Sequence, residues 1–148
     1  MIPMADLMER ARAARDPNLI CARVPYARFL GMTAALQQDR DGETVRVTMP
    51  FIERIGGNLA VPAIHGGALS SLMETAALLT ASWRAGVPAS TITLTVDYLR
   101  PAFLEDTVAT CAVLRHGRRV MTVQVYADQG ERRVSAARVH MMLRSPQG

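Results

Sequence analysis

The architecture of this chain turns on HGGALSSLMETAALLTASW, residues 65–83. From Gly66 to Trp83 the run is built of Gly, Ala, Leu, Ser, Met, Thr and Trp, with one acid, Glu74, and no base. Ala, Leu and Met favour helix, so the stretch predicts about five helical turns. Gly86 and Pro88 then stop it. Apolar residues go nearly all the way round, which predicts a helix covered on most sides. Between Arg54 and Arg84 only His65 and Glu74 titrate near neutral pH. A lone carboxylate in apolar surroundings is costly unless hydrogen-bonded or paired. Glu74 is thus either a general base or nucleophile in a cleft, or an acid that faces solvent or an arginine from elsewhere.

The flanking sequence sets the fold class. MADLMERARAARD predicts an amphipathic helix over residues 4–16, with Met4, Leu7, Met8 and Ala11 on one side. DPN ends it, and VPYARFLG reads as a short turn. Residues 32–38 and 43–49 predict two strands about DRDG, an Asp-Gly hairpin signal. Val45, Val47 and Met49 alternate there with Arg46 and Thr48, as in a half-buried strand. A loop containing Gly and Pro occupies 51–64. After the long helix, STITLTVDYL puts Thr91, Thr93, Thr95 and Asp97 on one face and Ile92, Leu94, Val96 and Tyr98 on the other. TVATCAVL, RVMTVQVYA and RRVSAARVHMML complete about four strands, the last two joined by DQGE. A small antiparallel sheet buries one apolar helix only by curling around it. The expected class is α+β, a single domain over residues 1–148 with an N-terminal helical extension of about 1–29. The helix has more apolar surface than one sheet face covers, which predicts dimerisation through that region.

Composition narrows the function classes. With 49% hydrophobic and 20% charged residues, the chain reads as one soluble globular domain. No apolar run approaches the ~18 residues of a membrane span. The first residues lack the apolar core of a secretion signal, so a cytoplasmic protein is expected. All 17 basic residues are Arg, and the net charge is +4. Aromatics are not interleaved with them, which argues against a nucleic-acid binder. Cys21 and Cys111 are far apart without CxxC spacing, so they read as small apolar residues, with no disulfide framework and no metal site expected.

His65-Gly66-Gly67 opens the long helix. The first N–H groups of a helix have no internal partner and lie at its positive end, a place suited to the oxyanion of acyl transfer. Glycines there let a ligand approach the backbone. Gly66 and Glu74 are eight residues apart in the sequence, about 12 Å along the axis at ~1.5 Å per residue. One carbonyl cannot touch both within one helix. Two such helices running antiparallel across a two-fold axis would bring Gly66 of one protomer to Glu74 of the other.

GNLAVPAIHGGALSSLMETAALLTA followed by TITLTVDYLRPA resembles the hotdog-fold acyl-CoA thioesterases, in particular their phenylacetyl-CoA thioesterase-like (PaaI-like) branch. The pattern comprises Asn58, His65-Gly66-Gly67, Glu74 and Tyr98-Leu99-Arg100-Pro101, and it continues through HGRRVMTVQVYADQGERRVSAARVHMM. Most of the chain, residues 30–143, is covered. The resemblance implies hydrolysis of an acyl-CoA to free acid and CoA by a homodimer, itself paired into a dimer of dimers, with no metal or redox cofactor. Glu74 would activate water or attack the carbonyl, and the Gly66 amide would polarise its oxygen. Asn58 would orient water or substrate, His65 would hold the loop or assist near the leaving sulfur, and Thr91 would help position the water. Gly67, Leu69 and Met73 would line the substrate site with Leu72 and residues near Phe51 and Phe103. Arg115, Arg118 and Arg119, around RHGRR, would meet the phosphates of CoA, to which guanidinium groups are suited. Two departures stand out: Glu74 where many relatives have Asp, and Pro62 where a small residue is usual. The alternatives are a noncatalytic acyl-CoA-binding or sensor protein, and a hotdog hydratase or dehydratase.

Overall fold

A computed structural model describes residues 2–57 and 60–144. Three helices lead: α1 (Met4–Ala14), α2 (Asn18–Cys21) and α3 (Pro25–Phe29). Strands β1 (Thr33–Asp39) and β2 (Gly42–Met49), a short 3-10 turn (Glu53–Ile55) and the long helix α4 (Gly66–Ala85) follow. Strands β3 (Ala89–Tyr98), β4 (Thr107–His116), β5 (Val120–Gln129) and β6 (Arg132–Leu143) complete the chain. The expected α+β arrangement is the one observed.

α1 buries Leu7, Met8 and Ala11, while Met4, expected on the same face, is 48% exposed. VPYARFLG, read as a turn, holds α3, and α2 forms just before it, where the sequence reading placed no element. Pro17 stands at the N-cap of α2 and Pro25 in the first turn of α3, positions where a missing N–H does no harm. Helices of four and five residues are too short to display a 3.6-residue period.

All six strands form one antiparallel sheet in the order β1-β2-β4-β5-β6-β3. α4 carries the chain from β2 to the opposite edge, where β3 lies. Its inward residues, among them Leu72, Met73, Ala76 and Ala77, are fully buried, as are Val45, Val47, Met49, Val123, Val125 and Val139 on the sheet. Each of the Leu, Met and Val side chains contributes about 1.5–3 kcal/mol of burial. Polar contacts fix the helix to both ends of the sheet. β2 pairs with β4 only over Val47–Met49, and Thr80 of α4 accepts the Val45 N–H at 2.9 Å. Gly86 closes α4 in the left-handed conformation, and the Ala89 N–H donates to Ser82 Oγ at 3.0 Å. β3 therefore returns antiparallel to α4.

At that same end Glu43 accepts from Trp83 Nε1 at 3.2 Å and pairs with Arg15. These two hydrogen bonds hold the Glu43 carboxyl below its ordinary value. Cys21 and Cys111 are buried and free, and burial pushes the Cys111 thiol up to about 12. Among the described residues no helix is long and apolar enough to cross a membrane.

Two features depart from the sequence reading. The first is α4, which the sheet covers on one side only. Gly67, Ser70, Ser71, Glu74, Thr75 and Leu78 form a half-buried stripe on the other. The hydroxyls of this stripe fold back on the helix: Ser70 and Ser71 donate to Gly67 O at 3.0 and 2.7 Å, and Thr75 to Ser71 O at 2.7 Å. The second is β3. The β3–β6 register shifts between Thr91 and Thr93, pairing Thr91 with Met141 and Thr93 with His140. Ile92 is bulged out and 48% exposed. Thr91 consequently falls on the inward face with Leu94 and Val96, not beside Thr93.

Candidate active site

The site is built where the chain enters α4. Gly56 bridges Ile64, the Gly57 N–H donates to Ala63 O at 2.9 Å, and the His65 N–H donates to Ile55 O at 2.7 Å. A Cβ on Gly57 would come within 2.3 Å of His65 Cα, so only glycine allows this crossing. From the other side, the Ile64 N–H donates to Ala102 O at 2.9 Å. The loop carrying Ala102 is itself held by buried Gln129, which accepts from Phe103 N and donates to Phe103 O, both at 2.9 Å. The entry to α4 is thus braced on both flanks.

His65 is the N-cap, with φ −62° and ψ 134°, and its Nδ1 accepts the Gly67 N–H at 2.8 Å. That bond requires the neutral ring with its proton on Nε2. The N–H of Gly66 has no partner among the described residues. Gly66, His65, Gly57 and Leu69 line a cleft of about 470 Å³ with Tyr98, Leu99, Arg100 and Pro101 from the end of β3. Tyr98 donates its hydroxyl proton to Gly66 O at 2.9 Å. In the sequence Tyr98 stands at the end of the alternating STITLTVDYL and in the YLRP run, and no role at the site is expected of it. The contact joins residues 32 apart in sequence, beyond the reach of any local pattern.

Glu74 lies two turns further along α4, on the open stripe, half-buried. Among the described residues it makes no hydrogen bond and no ion pair. The arginine partner considered as an alternative is absent from the described residues. Leu69 lines the cleft, whereas Met73 and Leu72 are fully buried in the core. Thr91 is near the start of β3, with its hydroxyl 3.8 Å from Met141 Sδ. Asn58 lies outside the described residues.

Arg115, Arg118 and Arg119 come together. With Thr122 and His140 they line a second groove, of about 540 Å³. It sits at the opposite end of β3 from Gly66. The Leu143 N–H donates to Arg119 O at 2.8 Å, and Leu143 pairs with Ala89, the first residue of β3. Nine residues of strand, roughly 30 Å, separate Ala89 from Tyr98.

A curled antiparallel sheet around one long helix, its head opening into a cleft, is the hotdog architecture. Sequence comparison gives the family: the thioesterase superfamily profile matches residues 62–136, half of the chain, and the chain belongs to that superfamily. It is a thioester hydrolase with the hotdog fold.

Solved structures agree on the fold. The E. coli PaaI protein from the phenylacetic acid degradation operon superposes with a TM-score of 0.75 at 21% identity, covering 97% of each chain. A thioesterase from Haemophilus influenzae gives a TM-score of 0.75 at 21% identity, over 86% of this chain and 87% of that one. A protein from Chromobacterium violaceum gives 0.65 at 29% identity, over 96% of each. No curated protein sequence is significantly similar.

Proposed function

We propose that the protein hydrolyses acyl-CoA thioesters at sites shared between two subunits. One observation carries the proposal: among the described residues the Gly66 N–H at the head of α4 and the Glu74 carboxylate on its open stripe have no partner, and they are about 12 Å apart along one helix. A second copy brings such groups together. β3 is a ten-residue edge strand with Ile92 and Tyr98 exposed along it, an edge that proteins ordinarily pair or cover. Pairing β3 with its copy about a two-fold axis sets the two α4 helices antiparallel, because α4 and β3 already run antiparallel within one chain. The open stripes of small residues allow those helices to approach closely. Gly66 of each subunit then faces Glu74 of the other. The Arg115, Arg118 and Arg119 groove, distant from its own Gly66, moves toward the cleft of the second copy.

In such a site the thioester oxygen accepts the Gly66 N–H, aided by the positive end of the helix. Glu74 takes the proton of a water as its oxygen bonds to the carbonyl carbon. The carbon–sulfur bond then breaks, and CoA leaves with the proton as free thiol. The alternative route, attack by Glu74 followed by hydrolysis of the anhydride, uses the same contacts. Asn58 and Thr91 are assigned to orienting water and substrate, and His65 to holding the loop or assisting near the leaving sulfur. Gly67 and Leu69 are assigned to the acyl cleft, and the three arginines to the phosphates of CoA. The origin of the E. coli PaaI protein makes aromatic acyl-CoA esters the first to try, with short and medium acyl chains beside them.

Thiol release over that panel tests the reading. Turnover of at least one ester is expected, and Glu74→Gln, which keeps the shape and removes the base, should lower kcat by about 100-fold or more. Full turnover by Glu74→Gln, or tight acyl-CoA binding with no thiol released by the native protein, would contradict it.

A further inference from the structure

We infer that Tyr98 is a positioning residue, holding the Gly66–Gly67 peptide so that the Gly66 N–H stays free and fixed; the inference rests on the thioesterase reading above. The residues on both sides of this peptide lack a Cβ, so local sterics restrict it little. Beyond the first turn of α4 itself, two side chains hold it. The Gly67 N–H is held by His65 Nδ1 at 2.8 Å, and the Gly66 carbonyl is held by the Tyr98 hydroxyl at 2.9 Å. Donor and acceptor of one peptide unit are both engaged, which leaves the preceding N–H, that of Gly66, as the unpartnered donor.

The tyrosine ring has a second part. A Cβ on Gly66 would lie 3.1 Å from its Cζ and 3.2 Å from its Cε1 and Oη, so the ring rests against the Gly66 backbone. Within one subunit Tyr98 is 56% exposed at the end of β3, so its own chain places the ring with little apolar burial. Its hydrogen bond and its contact with Gly66 are what fix it. A swing of the clamped peptide would carry the Gly66 Cα with it and turn the free N–H away from one direction. A donor that must be reoriented during the reaction stabilises an oxyanion less than one already aimed.

Tyr98→Phe keeps the ring and deletes the donor. We expect kcat to fall about fivefold to tenfold, the scale of one neutral hydrogen bond, with KM changed by less than about twofold. The Gly67 amide, read by hydrogen exchange on the unliganded protein, should exchange faster by a similar factor. Tyr98→Ala, which also removes the wall of the cleft, should raise KM as well. The inference requires both changes in Tyr98→Phe. An unaltered kcat, a loss confined to KM, or unaltered Gly67 exchange overturns it. If the native protein releases thiol from no acyl-CoA, the thioesterase reading fails separately, and the exchange measurement alone decides whether the clamp exists.

Discussion

Gly66→Pro deletes the free N–H and changes little else in the fold. Position 66 is the first residue of α4, where proline is favoured, and its N–H bonds no described residue. The preceding residue, His65, already has φ −62° and ψ 134°, the extended conformation that a following proline requires. The substitution does add a Cβ, which would sit 3.1 Å from the Tyr98 ring. Gly66→Ala adds the same atom and keeps the N–H, so the two variants separate the donor from the space it occupies. Loss of one oxyanion donor costs about 2.7–4 kcal/mol, roughly 100-fold to 1,000-fold in kcat. The alanine needs only a shift of a few tenths of an ångström in an exposed ring, and should lose less than about tenfold. Thiol release at saturating acyl-CoA measures both, with thermal unfolding showing that each variant is folded. Equal kcat values for Gly66→Pro and Gly66→Ala would refute the role given to the amide.

Reversing charge with Arg118→Glu and Arg119→Glu should raise KM for acyl-CoA about tenfold or more while leaving kcat nearly unchanged. An unchanged KM would remove these arginines from substrate binding. Glu43, whose carboxyl is held below its ordinary value of 4.5 by Trp83 and Arg15, favours the folded state while ionised. That contribution is present above 4.5 and is lost as the pH falls through the lower, folded-state value. Urea midpoints should therefore show Glu43→Gln less stable than the native protein at neutral pH, with the gap closing in acid. A gap independent of pH would contradict the network.

The sequence makes α4 legible because its composition, length and stop signals agree. Gly66 opens it and Gly86 closes it, as expected, whereas Leu72 and Met73, expected at the substrate site, are in the core. Its open stripe was not legible, since Ser70, Ser71, Glu74 and Thr75 are left half-buried because the sheet covers only the other side of α4, a tertiary property. The alternation of STITLTVDYL identified β3 but misplaced Thr91. The bulge at Ile92 is set by pairing with β6, some fifty residues away, and leaves no local mark. The edge position of β3 is likewise a matter of strand order. At the site, His65, Gly66 and Glu74 could be picked out by type and spacing. Tyr98 could not, because its partner is reached only after the chain has crossed the whole length of α4 and β3.

Mixing two inactive variants tests the shared site most directly. Gly66→Pro and Glu74→Gln subunits, each without appreciable turnover as homodimers, are combined by unfolding and refolding together in equal amounts. If Gly66 of one subunit works with Glu74 of the other, each mixed dimer keeps one intact site of two. Half of the dimers are mixed, so about a quarter of native activity should return. If both groups serve a site within one chain, no subunit is intact and the mixture should stay as inactive as its parents, a result that would contradict the account.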